Sequence, residues 1–578
     1  MIENAQKKKI SIGLLMDSFD VPNWTYLLLK KIKELNCAEI KLIVLNDAPK
    51  IKKGRLYFII THWQYLLYLA YMKLENMLIK LNLKLFESKD ARHILSNVPV
   101  VKVRPRQIKY FDWIEDSDIE KIKQHEIDVF IRLGFAILKG KILESSRCGV
   151  WSFHHGDNQV NRGGPPGFWE VFENNPITGS VLQILTEDLD NGLVLYRSYS
   201  STDNKSVMKN RNGYYWKTLL FVPRKLKELH QLGEENFLNK ARSENRHINL
   251  YCNRLYKDPK NNEFIIPLIK HIGRIVKSGL YNLFFFDQWL LMYDLHDGIS
   301  SSFWRFKKII PPRDRFWADP HVIYRNNLYY IFIEEFVFGS HKGHISLLTM
   351  DENGKYTSPV KIIDRPYHLS YPFVFEWDGT YYMIPESAAN NSIELYKCME
   401  FPHRWEFYKN LMQNIKAMDN TLFRHQNMWW LFTNVKENEA HPVCDDELFL
   451  FYSDNPLSDN WKAHPQNPII SDIRRARSAG KIFEYKGDIY RPSQDCSKGY
   501  GHSLKFNQIV TLTETEYQEK EINSAEPNWD KNIKSIHAFN HENMLTIIDG
   551  QLRRFKFIKA HLRFPRYCRN KTRCLMSS

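Results

Sequence analysis

Short apolar runs alternate with helical patterns over the first two hundred residues or so. The runs at 10–16, 40–45, 128–135, 150–154 and 179–185 have the length of buried strands. Residues 23–35 instead show the apolar spacing of an amphipathic helix. This alternation predicts βαβ units around a mostly parallel sheet, that is, a Rossmann-like open α/β sheet.

The pattern changes beyond about residue 275, where short aromatic runs are bounded by turns. Five segments share a strand, a two-residue turn and a second strand, and their second turn residues are Asn327, Gly379, Asn427, Gly487 and Asn543. Gly and Asn best tolerate the positive φ that such a turn requires. The turns are 52, 48, 60 and 56 residues apart, the length of a four-stranded blade, so we predict an all-β five-bladed propeller. An open β-sandwich with coincidental hairpins is the alternative.

These two patterns predict a multidomain chain. We expect an α/β domain over residues 8–205, a partly helical connector over 206–274, a propeller over 275–555 and a basic tail over 556–578. The fingerprint G-x-G-x-x-G is missing after the first strand, which disfavours a nicotinamide cofactor.

The composition and net charge of the chain indicate which kinds of molecule it binds. Hydrophobic residues make up 43% of the 578 residues, which is typical of a packed globular protein. The net charge of +15 favours anionic partners such as phosphates, nucleotides or acidic glycans, and the basic tail suggests weak contact with a membrane surface. No nucleic-acid-binding motif is visible, and the eight scattered cysteines indicate no metal site.

Targeting signals are also absent from the pattern. No secretory leader is recognisable, and the apolar stretches carry too many polar interruptions for a spanning helix of about 20 residues. We therefore expect a cytoplasmic protein without a transmembrane segment. The sequence leaves the oligomeric state open.

A histidine and an aspartate follow two of the predicted strands. One strand ends at His154, a Gly/Pro turn containing Arg162 follows, and a further strand leads to Asp190. Because the carboxyl ends of neighbouring strands line the ligand crevice of an open α/β sheet, we expect the two side chains to form an acid/base pair. A core histidine beside an unrelated turn residue is the structural alternative.

These motifs resemble those of the formyltransferase family, which includes nucleotide-sugar N-formyltransferases. The matching segments are Ser152-Phe153-His154, Arg162-Gly163 and Leu189-Asp190-Asn191-Gly192, although the family has Asn where this chain has Ser152. The resemblance implies 10-formyltetrahydrofolate as formyl donor, His154 as acid/base and oxyanion stabiliser, and Asp190 as its orienting partner. Ser152 would be a weakened oxyanion donor, since losing one such donor costs about 10²–10³ in rate.

The same resemblance assigns binding roles. Arg162 would steer a phosphate of the acceptor. The folate pocket would be formed by two short segments, whose residues are Gly134, Phe135, Ala136, Ile137, Leu138, Thr186, Glu187 and Asp188.

Carboxylates also recur in register with the five turns. Eight residues before the second turn residues lie Asp319, Tyr371, Asp419, Ala479 and Ser535, and the returning strands supply Glu334, Glu335, Glu386, Asn434, Gln494 and Asp495. Acidic groups should therefore converge at one end of the propeller. Carboxylates there would accept hydrogen bonds from the hydroxyl groups of a sugar. We expect the following residues to bind the sugar: Asp319, Asp419, Glu386, Arg491, Gln494 and Asp495.

This half resembles two propeller families. Asp319 and Asp419 match the base and the second Asp of arabinanase- and xylosidase-type glycosidases, but the segment 477–480 replaces the expected acid Glu, which argues against hydrolysis. Residues 285–520 look closer to the N-terminal propeller of plant glucosamine inositolphosphorylceramide transferases. The matching stretches are Phe316-Trp317-Ala318-Asp319-Pro320, Ala479-Gly480-Lys481-Ile482-Phe483, Arg491-Pro492-Ser493-Gln494-Asp495-Cys496 and Tyr500-Gly501.

Together the resemblances predict an N-formyltransferase of polysaccharide biosynthesis. It would transfer a formyl group from 10-formyltetrahydrofolate to an amino sugar, nucleotide-linked or in a glycan, while the propeller binds carbohydrate. The alternative is a glycosidase-like or carbohydrate-binding propeller protein with a degenerate formyltransferase domain.

Overall fold

The chain forms two compact units, Met1–Arg274 and Ile275–Ser578. The computed structural model describes residues 8–49, 60–79, 85–247, 250–438 and 445–556. Apart from Lys556, the predicted basic tail lies outside the described residues.

A seven-stranded sheet forms the core of the first unit. Five strands run parallel, and a hairpin at one edge is antiparallel. In spatial order the strands are Leu193–Ser201, Ile177–Ile184, Val150–His154, Val129–Arg132, Ile10–Met16, Ala38–Asn46 and Val100–Val103. The predicted open α/β sheet is present, because apolar strands of this kind are buried on both faces.

Short strands and helices complete the first unit. The short strands are Asp20–Pro22, Ser88–Asp90, Arg106–Ile108, Phe111–Trp113, Ile137–Lys139, Arg162–Gly163 and Leu255–Tyr256. The α-helices are Asn23–Lys33, Leu66–Leu78, Asp116–Lys123, Trp169–Phe172, Val207–Thr218, Phe221–Leu232, Glu234–Glu244 and Asn261–Phe284, which continues into the second unit, and 3₁₀ turns occur at Trp63–Tyr65 and Gly140–Glu144.

The segment 206–274, predicted as a connector, is mostly helical and is part of the first unit. Its apolar side chains explain this. Phe264 is fully buried, and its ring lies 4.9 Å from that of Phe172 and 5.6 Å from that of Phe168. Each such side chain contributes about 1.5–3 kcal/mol on burial, so the segment packs against the α/β unit.

Five four-stranded antiparallel sheets make up the described part of the second unit, an all-β and propeller-like arrangement. The first sheet joins both ends of the unit, since Phe285–Leu295 pairs with Leu545–Phe555 over its full length. In chain order, the remaining strands are Lys307–Ile309; Arg315–Arg325, Leu328–Val337, Lys342–Asp351, Val360–Ile363; Ser370–Trp377, Thr380–Glu386, Ser392–Glu400, Arg404–Gln413; Ala417–His425, Met428–Val435, Leu448–Ser453, Lys462–Ala463; Phe483–Tyr485, Asp488–Asp495, Ser503–Leu512, Tyr517–Ala525; and Phe539–Glu542, with 3₁₀ turns at Phe303–Arg305 and Ala388–Asn390.

Four of the five predicted hairpin turns are confirmed, and the fifth lies one residue later than predicted, at Asn543-Met544, because Glu542 pairs with Leu545. All five residues predicted as second in the turn have positive φ, with values of 60° at Asn327, 69° at Gly379, 62° at Asn427, 88° at Gly487 and 54° at Asn543. The turns therefore set the register that brings the returning strands back to the same end of each sheet.

Candidate functional site

His154 and Asp190 come together in the first unit. The Nδ1 atom of His154 lies 3.3 Å from Oδ1 of Asp190, whose Oδ2 accepts a hydrogen bond from the backbone N–H of Gly163 at 3.0 Å. Burial acts to lower the pKa of His154, but the hydrogen bond and charge of Asp190 raise it above its usual value. Burial acts in the opposite sense on Asp190, and the same contact holds its pKa below the usual value.

The second nitrogen of His154 is also engaged. Its Nε2 lies 2.8 Å from the carbonyl oxygen of Asn161, which can only accept a hydrogen bond. With an acceptor at each nitrogen and a raised pKa, the protonated form of the ring is favoured, and both nitrogens are engaged within the chain. Proton transfer by His154 would require the loop around Asn161 to move.

Ser152, the predicted oxyanion donor, is hydrogen-bonded to the cationic side chain of Arg132. Its buried Oγ accepts a hydrogen bond from Arg132 Nη1 at 3.0 Å. Arg132 also donates to the carbonyl oxygens of Phe135 and Ala136, at 3.1 and 2.9 Å. Burial lowers the pKa of Arg132. The sequence analysis missed this arginine, although a charged residue at the end of an apolar strand was a visible signal.

The predicted folate segment is paired within the chain. The N–H of Phe135 donates to Asp17 at 2.9 Å, and that of Ala136 donates to Asp112 at 2.7 Å. With the two carbonyl oxygens also accepting from Arg132, the backbone N–H groups of Phe135 and Ala136 and one lone pair of each carbonyl oxygen are engaged within the chain. We therefore derive no chemistry through folate, and 10-formyltetrahydrofolate stays an untested prediction.

The remaining residues predicted in this unit lie nearby. Lys139 brings the second folate segment next to the first, since its Nζ lies 3.1 Å from Glu187 Oε2. Arg162 donates to Asn191 Oδ1 at 3.0 Å, beside Asp190, and its guanidinium stacks 4.7 Å from the ring centre of Tyr251.

The second unit gathers buried carboxylates at three recurring bulges. Asp319, Tyr371 and Asp419 have left-handed φ of 52°, 43° and 51°, and each follows a register shift in its strand. A bulge turns the backbone N–H out of the ladder. Accordingly, the N–H of Asp319 donates to Asp549 at 3.0 Å, that of Tyr371 to Asp319 at 3.3 Å, and that of Asp419 to Glu386 at 3.3 Å. We call Asp319, Glu386, Asp419 and Asp549 the acidic cluster.

Arg477 neutralises much of the acidic cluster. Its Nε lies 2.6 Å from Asp419 Oδ2 and its Nη2 lies 3.1 Å from Oδ1, a bidentate pair. The same guanidinium donates to Asp445 and lies 3.7 Å from Glu386. Gln494 also donates to Asp419, at 3.1 Å. Arg477 belongs to the segment 477–480, which stands where the sequence analysis expected the acid Glu of a glycosidase.

Burial changes the protonation of the cluster. It raises the pKa of Asp319 to about 7, although the nearby His537 opposes this. The pKa values of Glu334 and Glu386 are raised well above the usual range for the same reason, with further repulsion from Asp319 and Asp419. These shifts favour the protonated form of the carboxyl groups, which can donate as well as accept hydrogen bonds.

Two predicted binding residues have other partners. Arg491 forms a bidentate pair with Glu519, both contacts measuring 2.8 Å, and its side chain is 1% exposed. Asp495 accepts from the N–H of Ser497 at 2.9 Å. Of the residues predicted to bind the sugar, Asp319, Asp419 and Glu386 thus belong to the acidic cluster, and Gln494 contacts it. Arg491 instead pairs with Glu519 within its own sheet.

His537 and Asp549 were missed by the sequence analysis. His537 Nδ1 lies 2.7 Å from Asp549 Oδ2, and its Nε2 lies 3.3 Å from Asp319 Oδ1. These three residues each offer a ligand atom within 4.8 Å of the others, a spacing that could hold a metal ion. Asp549 lies six residues after its turn rather than seven or eight, so the repeat spacing passed over it.

Comparison with known proteins places the acidic cluster in a known family region. Residues 310–559 match the family model described as glucosamine inositolphosphorylceramide transferase 1, N-terminal. The glucosamine inositolphosphorylceramide transferase 1 of Oryza sativa subsp. japonica is 33% identical over 212 residues, 36% of this chain and 28% of the relative. The Arabidopsis thaliana enzyme is 32% identical over 210 residues, 36% and 27% of the two chains. The chain therefore spans less than a third of the length of these relatives.

Similar solved structures include a glycoside hydrolase and a transformylase. A family 117 glycoside hydrolase of Zobellia galactanivorans is 12% identical with a TM-score of 0.31, over 46% of this chain and 90% of that chain. A glycinamide ribonucleotide transformylase of Symbiobacterium toebii is 12% identical with a TM-score of 0.24, over 41% and 89%.

The relatives correct the predicted function. Folate-dependent formyl transfer is contradicted, because the relatives are named as glucosamine inositolphosphorylceramide transferases. The engaged nitrogens of His154 and the pairing of Ser152 with Arg132 give a physical reason. The alternative of a glycosidase-like or sugar-binding protein with a degenerate formyltransferase domain does not match these relatives either. The coarser prediction of a transferase for a carbohydrate-containing substrate agrees with them, whereas membership of the formyltransferase family is not confirmed.

The predicted cytoplasmic location is contradicted as well. The relatives are named for a ceramide lipid, which is a membrane constituent. Among the described residues, no helix has the length and apolar character needed to cross a bilayer.

Proposed function

We propose that this chain is a transferase of the glycosyl-transfer class that acts on a carbohydrate-containing acceptor. In this proposal the second unit is a five-bladed propeller that holds the acceptor at the acidic cluster. The observation that carries it is the match of residues 310–559, which contain Asp319, Glu386, Asp419 and Asp549, to the N-terminal region of such transferases.

The chemistry of the cluster supports an acceptor with hydroxyl groups. In glycosyl transfer, an acceptor hydroxyl attacks the anomeric carbon of an activated sugar, the bond to the leaving group breaks, and a base takes the hydroxyl proton. A base works best when its pKa is near the operating pH. Asp319, with a pKa raised by burial to about 7, is our candidate for that base, and His537 at 3.3 Å would balance its charge.

The first unit has a cationic site of its own near its strand ends. The pKa of His154 is raised, and Arg132 and Arg162 lie close to the same loops. In an open α/β sheet, this end of the strands is where ligands bind. We propose that Arg162 contacts a phosphate group of a ligand bound by the first unit.

The test is a transfer assay with the full chain. Nucleotide-activated amino sugars are offered with inositolphosphoryl-lipid and free-glycan acceptors, and the product mass identifies the transferred group. Asp319→Asn should lower the rate by at least about tenfold, because the amide cannot accept the proton. Asp378→Asn, at an exposed hairpin turn, is the matched control and should leave the rate unchanged.

Two outcomes would contradict the proposal. One is the absence of sugar transfer with every donor and acceptor while the protein is folded. The other is transfer that Asp319→Asn and Asp378→Asn leave equally unaffected.

A further inference from the structure

The helix Asn261–Phe284 carries a long apolar stripe that the described residues leave uncovered. The stripe recurs every three or four residues and therefore lies on one face. Its exposed fractions are 48% at Ile265, 64% at Ile269, 51% at Ile272, 54% at Val276, 53% at Leu280 and 64% at Leu283. At 1.5 Å per residue, the stripe is about 27 Å long.

A different face of this helix anchors it to the first unit. Phe264 and His271 are buried, and the ring of His271 lies 4.7 Å from that of Phe172. Arg274 Nη2 donates to the carbonyl oxygen of Val171 at 2.7 Å. The part of the helix up to Arg274 is thus held by packing, and the exposed stripe along that part is not explained by a loosely attached segment.

The charges beside the stripe are of one sign. Lys270 and Lys277 are exposed and follow the stripe along its edge, and residues 264–284 contain no Asp or Glu. Lysines in this position extend their charged ends toward lipid headgroups while apolar residues enter the acyl boundary. A second copy of the chain would bring like charges together along this face, which disfavours a dimer.

We propose that the helix Asn261–Phe284 is a docking surface for an anionic lipid bilayer, with the stripe lying in the membrane interface. The helix lies along the bilayer rather than across it, because its buried face is held by the protein. This inference does not depend on the proposed transferase activity.

The test is co-sedimentation of the full chain with vesicles of phosphatidylcholine alone or mixed with phosphatidylglycerol. We expect binding to the anionic vesicles that weakens as salt is raised. The double variant Ile269→Asn, Val276→Asn should weaken binding by about tenfold or more, since two apolar side chains no longer enter the interface. The matched control is Val360→Asn, Val510→Asn, at residues that are 54% and 60% exposed on the second unit.

A charge variant keeps the test decisive if the apolar variant misfolds. Lys270→Glu, Lys277→Glu alters two exposed side chains and should also weaken binding to anionic vesicles by about tenfold or more. The proposal is overturned if the wild-type chain does not sediment with anionic vesicles, or if the variants bind as tightly as the wild type. Concentration-dependent dimers that the stripe variants abolish, without vesicle binding, would instead assign the stripe to a second copy.

Discussion

Arg477 pairs with the buried carboxyl groups of Asp419 and Asp445 and also lies 3.7 Å from that of Glu386. Removing one partner of such a network leaves the other charges buried and uncompensated, which typically costs 3–5 kcal/mol. When Arg477 is removed, Asp419 loses more hydrogen bonds than the other carboxyl groups, because both Nε and Nη2 of the guanidinium donate to it.

We therefore expect Arg477→Met to lower the free energy of unfolding of the second unit by about 3–5 kcal/mol. Arg477→Lys should cost less, since it keeps the charge but loses the bidentate geometry. Urea denaturation followed by tryptophan fluorescence measures both. Arg404→Met is the control, because Arg404 is 66% exposed in its pair with Glu406 and should cost less than about 1 kcal/mol. Equal effects at the two positions would contradict the assignment.

The contact between His154 and Asp190 makes stability depend on pH. The pKa of His154 is raised above 6.5 in the folded chain, so its contribution is complete below that pH and is lost as pH rises through the folded value. The pKa of Asp190 is lowered from 3.8, so its contribution is present above that value and is lost as pH falls.

Asp190→Asn should therefore destabilise the first unit most between about pH 4 and pH 6.5, by about 1.5–3 kcal/mol. The difference from the wild type should shrink at higher pH, where His154 is neutral in both proteins. Urea denaturation at a series of pH values gives the two curves. Asp188→Asn, two residues away and exposed, should follow the wild type at every pH. A difference that grows above pH 7 would be incompatible with a charged His154.

The sequence was sufficient to pair His154 with Asp190, but the strand argument for it was wrong, because the strand Ile177–Ile184 runs antiparallel to the strand that ends at His154. The loop after Ile184 brings Asp190 back to His154. The sequence could not show that Asn161 occupies the second nitrogen of His154, because this depends on the path of a loop without periodic pattern. In the same way, the repeat spacing located Asp319 and Asp419. It missed Asp549, which lies six residues after Asn543 and not seven or eight.

Turns and bulges control geometry at the level of the element. The three bulges with left-handed φ aim backbone N–H groups at the acidic cluster, and the five turns hold the paired strands in register. Apolar runs predicted five of the seven strands of the central sheet, and helical spacing predicted the first helix, because both patterns report which residues are buried. Strand ends were less predictable. The strand predicted over 128–135 ends at Arg132, since Phe135 has a φ of 63° and its N–H is bonded to Asp17.

Gly379→Ala isolates the cost of the turn conformation. Gly379 has a φ of 69° and no heavy atom within 4 Å of an added Cβ, so only backbone strain opposes the methyl group. We expect a loss of about 1–2 kcal/mol in the free energy of unfolding. Gly339→Ala is the matched control, because its surroundings are equally open and its φ is not left-handed. Thermal denaturation of both variants checks this, and an equal effect would argue against a strained turn.

On the scale of the whole molecule, the two units have separate cores. This division predicts separate unfolding in calorimetry of the full chain, because cooperative transitions follow compact units. Arg477→Met should lower the midpoint of one transition by about 5–15 °C and leave the other unchanged. A single transition, or two that shift together, would show that the units unfold as one.

The pairing of Phe285–Leu295 with Leu545–Phe555 has a consequence for biosynthesis. The first sheet of this unit cannot be completed until the ribosome has released the last strand, so a growing chain presents the unpaired edge of 285–295 while some 250 residues are added. A truncation before 545 should therefore leave that edge open to pairing with other nascent chains, and we expect such a fragment to aggregate or to require chaperones.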